Sequence, residues 1–124
     1  MKIRIYQIVP ERDLDHIMFR SSKWLFEHEG YHILDTSIYD KVFEGEVKAN
    51  NLEDVFCLFN SDNRPGENTF RSLSVSDVIA VDSSNTPITP GYYYCDVFGF
   101  TPVMFDIENT PGKALHEGSA TSAC

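Results

Sequence analysis

Cysteine is scarce in this chain, and no two cysteines lie close together. Cys57, Cys95 and Cys124 are the three present. No C-x-x-C occurs, so neither a zinc ribbon nor a disulfide framework is indicated. A reducing cytoplasm is the simplest compartment to expect. Long apolar runs are missing as well. Nothing approaches the roughly 20 residues that cross a bilayer, and MKIRIYQIV is too short and too alternating for a secretory signal, so no membrane role is expected. Positive charge is also thin: 10 Lys and Arg stand against 19 Asp and Glu, a net charge of −9. Such a surface repels phosphates and argues against direct nucleic-acid binding. It suits solubility, the commoner reason for acidity, or a basic protein partner, or a protein that imitates the charge of DNA. The chain has no G-x-x-x-x-G-K-S/T, no G-x-G-x-x-G, no EF-hand loop and no C2H2 spacing, so no cofactor is expected.

Apolar residues make up 42% of the 124 positions and aromatics 13%, enough for the core of one domain. KIRIYQIV alternates, with Ile3, Ile5 and Gln7 on one side and Arg4, Tyr6 and Ile8 on the other. It predicts a strand near the sheet centre, ended by Pro10. HIMFRS, 16–21, predicts a second short strand with Ile17 and Phe19 on one face. SKWLFEHEG predicts a helical turn near 22–29, capped by Ser22 and stopped by Gly30. SIYDKVFEGEV predicts a strand bulged near Gly45.

The clearest helix is ANNLEDVFCLFN, about 51–60. Asn50 or Asn51 caps it, Glu53 and Asp54 fill its first turn, and Leu52, Val55, Phe56 and Phe59 form one stripe, with Cys57 off it. Pro65-Gly66 marks a loop, and VIAV a strand. GYYYCDVFGF predicts a strand, with Gly99 at a tight turn and FTPVMF pairing back. The class is α+β: a small mixed or antiparallel sheet with one main helix packed on it. A single domain over 1–107 and a flexible tail over 108–124 are expected.

Two stretches look like chemistry. RSLSVSDVIAVD carries Ser74, Ser76 and Asp77, but a serine nucleophile needs a base and an orienting group, and no G-x-S-x-G elbow is present. The economical reading is a turn whose short side chains bond nearby amides before a strand. HEGYH, residues 28–32, is a literal H-E-x-x-H. On a helix, His28 and His32 would share a face and bind zinc, with Glu29 polarising a water. Gly30 inside that helix costs about 1 kcal/mol against Ala, and no third ligand is marked. A small zinc hydrolase is therefore the alternative reading, not the leading one.

KIRIYQI, SIYDKVFEGEV, LEDVFCLFN, RSLSVSDVIAV and YYYCDVFGF, in that order, resemble the YodL-like domain family of mobile genetic elements in Firmicutes and gut bacteria. HEGYH falls outside the resembling segments. The resemblance implies an accessory protein of a mobile element and brings no catalytic residues. Small acidic proteins of such elements often block host defences, so a restriction or CRISPR inhibitor is the finer expectation. The leading reading is a non-enzymatic, cytoplasmic protein that binds a protein partner, such as a basic nucleic-acid-handling host protein. Its expected surface combines Glu44, Glu46 and Asp96 with exposed tyrosines Tyr39, Tyr92 and Tyr94. Ser74, Ser76 and Asp77 join it if they stay open at the strand entrance.

Overall fold

The N-terminal alternation becomes strand β1 (Lys2–Ile8), and its two faces serve two different cores. In the computed structural model of the chain, residues 1–14, 16–29, 33–34, 36–61, 69–84 and 86–105 are described. After β1 come helix α1 (Ser22–Glu29), strand β2 (Ile33–Leu34), β3 (Tyr39–Glu46), helix α2 (Leu52–Leu58), β4 (Val78–Ser83), β5 (Gly91–Cys95) and β6 (Phe100–Phe105). The sheet order is β2-β6-β5-β4-β1-β3. The five longer strands pair antiparallel, and two-residue β2 adds a parallel edge beside Met104 and Phe105. The α+β class and the mixed sheet are as the sequence predicts, and β1 and β4 are internal strands.

One face packs under α2. Ile3, Ile5, Phe43, Ile79 and Val81 meet Leu52 and Val55 of the helix and Phe59, its C-cap. Phe59 stacks edge-on against Phe43 at 4.9 Å. The helix start is fixed at both ends of its cap. Asn51 accepts the Asp54 amide at 2.7 Å, and the Asp54 carboxylate accepts the Asn50 amide at 3.0 Å. Cys57 is exposed, as its position off the stripe implies. The opposite face is lined by Tyr6, Ile8, Tyr39, Val78, Ala80, Tyr94 and Phe105, and Ile17 and Leu25 pack on it.

Three local expectations are corrected. Residues 16–21 form turns instead of a strand. The Asp13 carboxylate takes the amides of Ile17 and Met18 at 2.8 and 2.9 Å, and His16 and Phe19 hold positive φ. Donors that a ladder would need are engaged locally, and the backbone reverses. Ile17 is buried while Phe19 is exposed. The cap of α1 is Ser21, whose hydroxyl accepts the Trp24 amide at 3.1 Å, and Ser22 is drawn to Asp96 instead.

The β3 bulge falls at Val42, not Gly45. Ile5 faces Phe43 and Tyr6 faces Lys41, whereas Gly45 stays in register with Ile3. The extra residue brings Lys41 and Glu44 to the same face, where they pair at 2.7 Å. β5 ends at Cys95, and the chain turns through Gly99 at φ +76° into β6. No helix among the described residues is long and apolar enough to cross a membrane. The expected tail lies outside the described residues.

Candidate functional site

At one end of the sheet β1 and β5 finish while β3, β4 and β6 begin. Three connections meet there: residues 9–21 after β1, residues 71–77 before β4, and the turn 96–99 between β5 and β6. Short polar side chains hold all three.

The turn before β4 is built around Asp77. Its amide bonds the Ser74 carbonyl at 3.1 Å. Its carboxylate accepts the Ser74 amide at 2.9 Å, Gln7 Nε2 at 3.2 Å and Arg71 Nη2 at 3.1 Å. The side chain is fully buried, and burial pushes its pKa up to about 7 against the pull of Arg71. Ser76 is also fully buried, at φ +86°. Its amide donates to Cys95 O at 2.9 Å, its carbonyl accepts the Tyr39 hydroxyl at 2.7 Å, and its own hydroxyl accepts the Phe19 amide at 3.0 Å. Ser76 thus ties its turn to the end of β5, to the start of β3 and, through its hydroxyl, to the connection after β1.

The same tying continues on the neighbouring loops. Tyr94 donates its hydroxyl to Arg20 O at 2.6 Å. Asp96 accepts the Ser22 amide at 2.9 Å, the Ser22 hydroxyl and the Thr101 hydroxyl. Burial alone would push the Asp96 carboxyl up, but those hydrogen bonds outweigh it and hold the group below its ordinary pKa. Burial pushes the Tyr39 and Tyr94 hydroxyls well up, so both stay protonated donors. Among the described residues, the non-glycine positions with positive φ are His16, Phe19 and Ser76, all within these connections. Backbone strain of this kind persists where the surroundings over-determine it.

Among the residues that these connections expose, with Glu11, His16 and Arg20, are four large apolar side chains. Leu14 is 84% exposed, Phe19 56%, Val97 57% and Phe98 93%. A hollow of about 390 Å³ opens beside Pro10, Asp13, His16, Met18, Phe19 and Arg20.

The sequence-predicted residues divide between the interior and the surface. Tyr39 and Tyr94, expected exposed, are both fully buried, because each hydroxyl finds a carbonyl inside the fold. Ser76 and Asp77 are likewise closed off, and Ser74 is half-buried with its hydroxyl unpaired among the described residues. Asp96 is half-buried at the hairpin.

Glu44, Glu46 and Tyr92 lie away from this end. Glu44 pairs with Lys41, and Glu46 meets the N-terminal amine at 3.0 Å. Tyr92 adjoins Arg4, whose guanidinium grips Asp82 through Nε and Nη2 at 3.0 and 2.6 Å and gives Nη1 to the Tyr6 hydroxyl at 2.7 Å. Gln7, Arg71, Asp13, Phe19, Val97 and Phe98 were not among the site residues expected from the sequence. A signal existed for Val97 and Phe98, since apolar residues crowded against a turn glycine have little interior to enter.

The proposed zinc ligands His28 and His32, with Glu29, fall on side chains and residues outside the described part of the chain. Among the described residues, no three His, Cys, Asp or Glu side chains converge on a metal position.

The residues that build this end lie within a match to the YodL-like domain that runs over residues 2–105. The chain belongs to the YodL-like domain family. The family match covers every described strand and both helices, and stops where β6 stops. No curated protein and no solved structure matches this YodL-like chain.

Proposed function

We propose that this YodL-like domain is a non-enzymatic binding protein that docks on a protein partner through the loop end of its sheet. The observation that carries the reading is the exposure of Phe19 and Phe98 on connections locked from within. Large apolar side chains held on loops that are already ordered suit a binding surface, because less ordering cost remains to be met on docking. The polar groups that would otherwise suggest catalysis support the same reading. Ser76 and Asp77 are engaged in holding loops, and Ser76 Oγ accepts a hydrogen bond from an amide. The net charge of −9 favours basic partners. The resemblance to domains of mobile elements makes basic nucleic-acid-handling host proteins, defence nucleases included, the class to screen first.

Affinity capture from host lysate tests this, with the wild type beside a Phe19→Ser/Phe98→Ser double variant and mass spectrometry as the readout. A protein retained by the wild type and lost from the double variant is expected. Identical recovery by both would remove the loop end as the docking surface.

A further inference from the structure

The turn 96–99 leans toward α2, and between them lies a second hollow of about 260 Å³. Its walls include Phe56 and Phe100, whose rings meet edge-on at 6.3 Å, together with Val97 and the exposed thiol of Cys57. Its rim carries Glu53 and Asp96, and among the described residues no Lys or Arg lines it. The Asp96 carboxyl is held ionised by Ser22 and Thr101.

We infer that this notch receives one aliphatic or aromatic side chain of a partner segment whose flanking residues are lysine or arginine. The inference rests on the proposed binding function and narrows it to one pocket and one ligand chemistry. The floor is apolar and the rim negative, so an apolar anchor between cations satisfies both. A second copy of this chain could offer Phe98 as the anchor, but it would bring its own Glu53 and Asp96 and a net charge of −9 against the same rim. Like charges brought together oppose that pairing. A basic segment gains attraction at the rim and apolar burial on the floor.

Cys57 supplies the readout, because a filled notch covers its thiol. In the full chain carrying Cys124→Ser, Cys57 is exposed while Cys95 is buried, so a thiol reagent reports on Cys57. The probe is a capped peptide with one leucine flanked by lysines. Controls replace the leucine by alanine, or the lysines by glutamates. The lysine–leucine peptide is expected to cut the labelling rate by about half at its dissociation constant. The protection should weaken as salt rises, and it should weaken again in a Glu53→Lys protein whose circular dichroism is unchanged.

Undiminished labelling, or equal protection by the glutamate peptide, overturns the inference. So does labelling that slows with protein concentration alone while sedimentation shows a dimer, which would give the notch to a second copy. If lysate capture depends on Phe19 and Phe98 while Cys57 stays unprotected, this inference falls and the docking reading stands. If the double variant captures the same proteins, the docking reading itself falls.

Discussion

The backbone amide of Phe19 donates to the hydroxyl of Ser76 at 3.0 Å, across 57 residues of chain, and both residues hold positive φ. Each strained residue thus fixes the other. Ser76 is closed inside the fold and Phe19 is presented on the surface. A buried polar turn in this way sets the position of an exposed aromatic ring. That coupling links the folding role of the S-x-S-D segment to the placement of a ring on the proposed docking surface.

Replacing Ser76 separates strain from hydrogen bonding. Ser76→Ala keeps the left-handed backbone and strands the Phe19 amide, at a cost of about 1–2 kcal/mol. Ser76→Gly loses the same bond but frees the backbone of its Cβ penalty, which recovers about 1 kcal/mol. Urea unfolding is expected to rank wild type and Ser76→Gly close together, with Ser76→Ala clearly below. An alanine variant as stable as the glycine variant would mean that φ +86° carries no strain.

Asp77 should make stability depend on pH in an unusual direction. Burial pushes its carboxyl up to about 7 in the folded protein, against about 4 when unfolded. Between those values the native state binds the proton more tightly than the unfolded state, so its contribution falls as pH rises from about 4 to about 7. Asp77→Asn removes that titration while retaining an acceptor for the Ser74 amide. Urea midpoints measured across this window should show wild type losing ground to Asp77→Asn as pH rises, by a few kcal/mol at most. Parallel curves would show that Arg71 keeps the carboxylate ionised throughout.

Much of the fold was legible because it rests on local period. Ile3 and Ile5 against Tyr6 and Ile8 announce a strand buried on both faces, and Leu52, Val55 and Phe59 announce the helix that covers one of them. The loop end was less legible because its determinants are distant or concern φ. Nothing near Tyr39 or Tyr94 says that their hydroxyls reach Ser76 O and Arg20 O inside the fold. Asp13 could have been recognised as a local amide acceptor, but alternation in Ile17 and Phe19 imitates a strand. Val42 shows the same limit. The glycine at 45 marks a tolerant backbone, yet the bulge forms where Lys41 and Glu44 gain a common face.

Arg4 predicts a difference between two cations. Its guanidinium contacts Asp82 through two nitrogens and the Tyr6 hydroxyl through the third, with only 15% of the side chain exposed. Lysine offers one point charge and cannot reach these partners together. Arg4→Lys is expected to destabilise by about 2 kcal/mol in urea unfolding, since partners are left unmatched in a half-buried site. A loss within experimental scatter would mean that solvent replaces the missing contacts.

Phe98 predicts a separation of stability from binding. At 93% exposure its ring contributes little to the core, so Phe98→Ser should shift unfolding by less than about 0.5 kcal/mol. Val55→Ala, at a fully buried position under the sheet, should cost about 1–3 kcal/mol instead. If the loop end is the docking surface, partner recovery follows the opposite order, with Phe98→Ser losing partner and Val55→Ala retaining it at temperatures where it stays folded. Apolar anchors carry a disproportionate share of interface energy, so one exposed ring is enough to register. Were Phe98→Ser to bind normally while Val55→Ala lost the partner, recognition would depend on the α2 face of the domain and the exposed hairpin would be incidental.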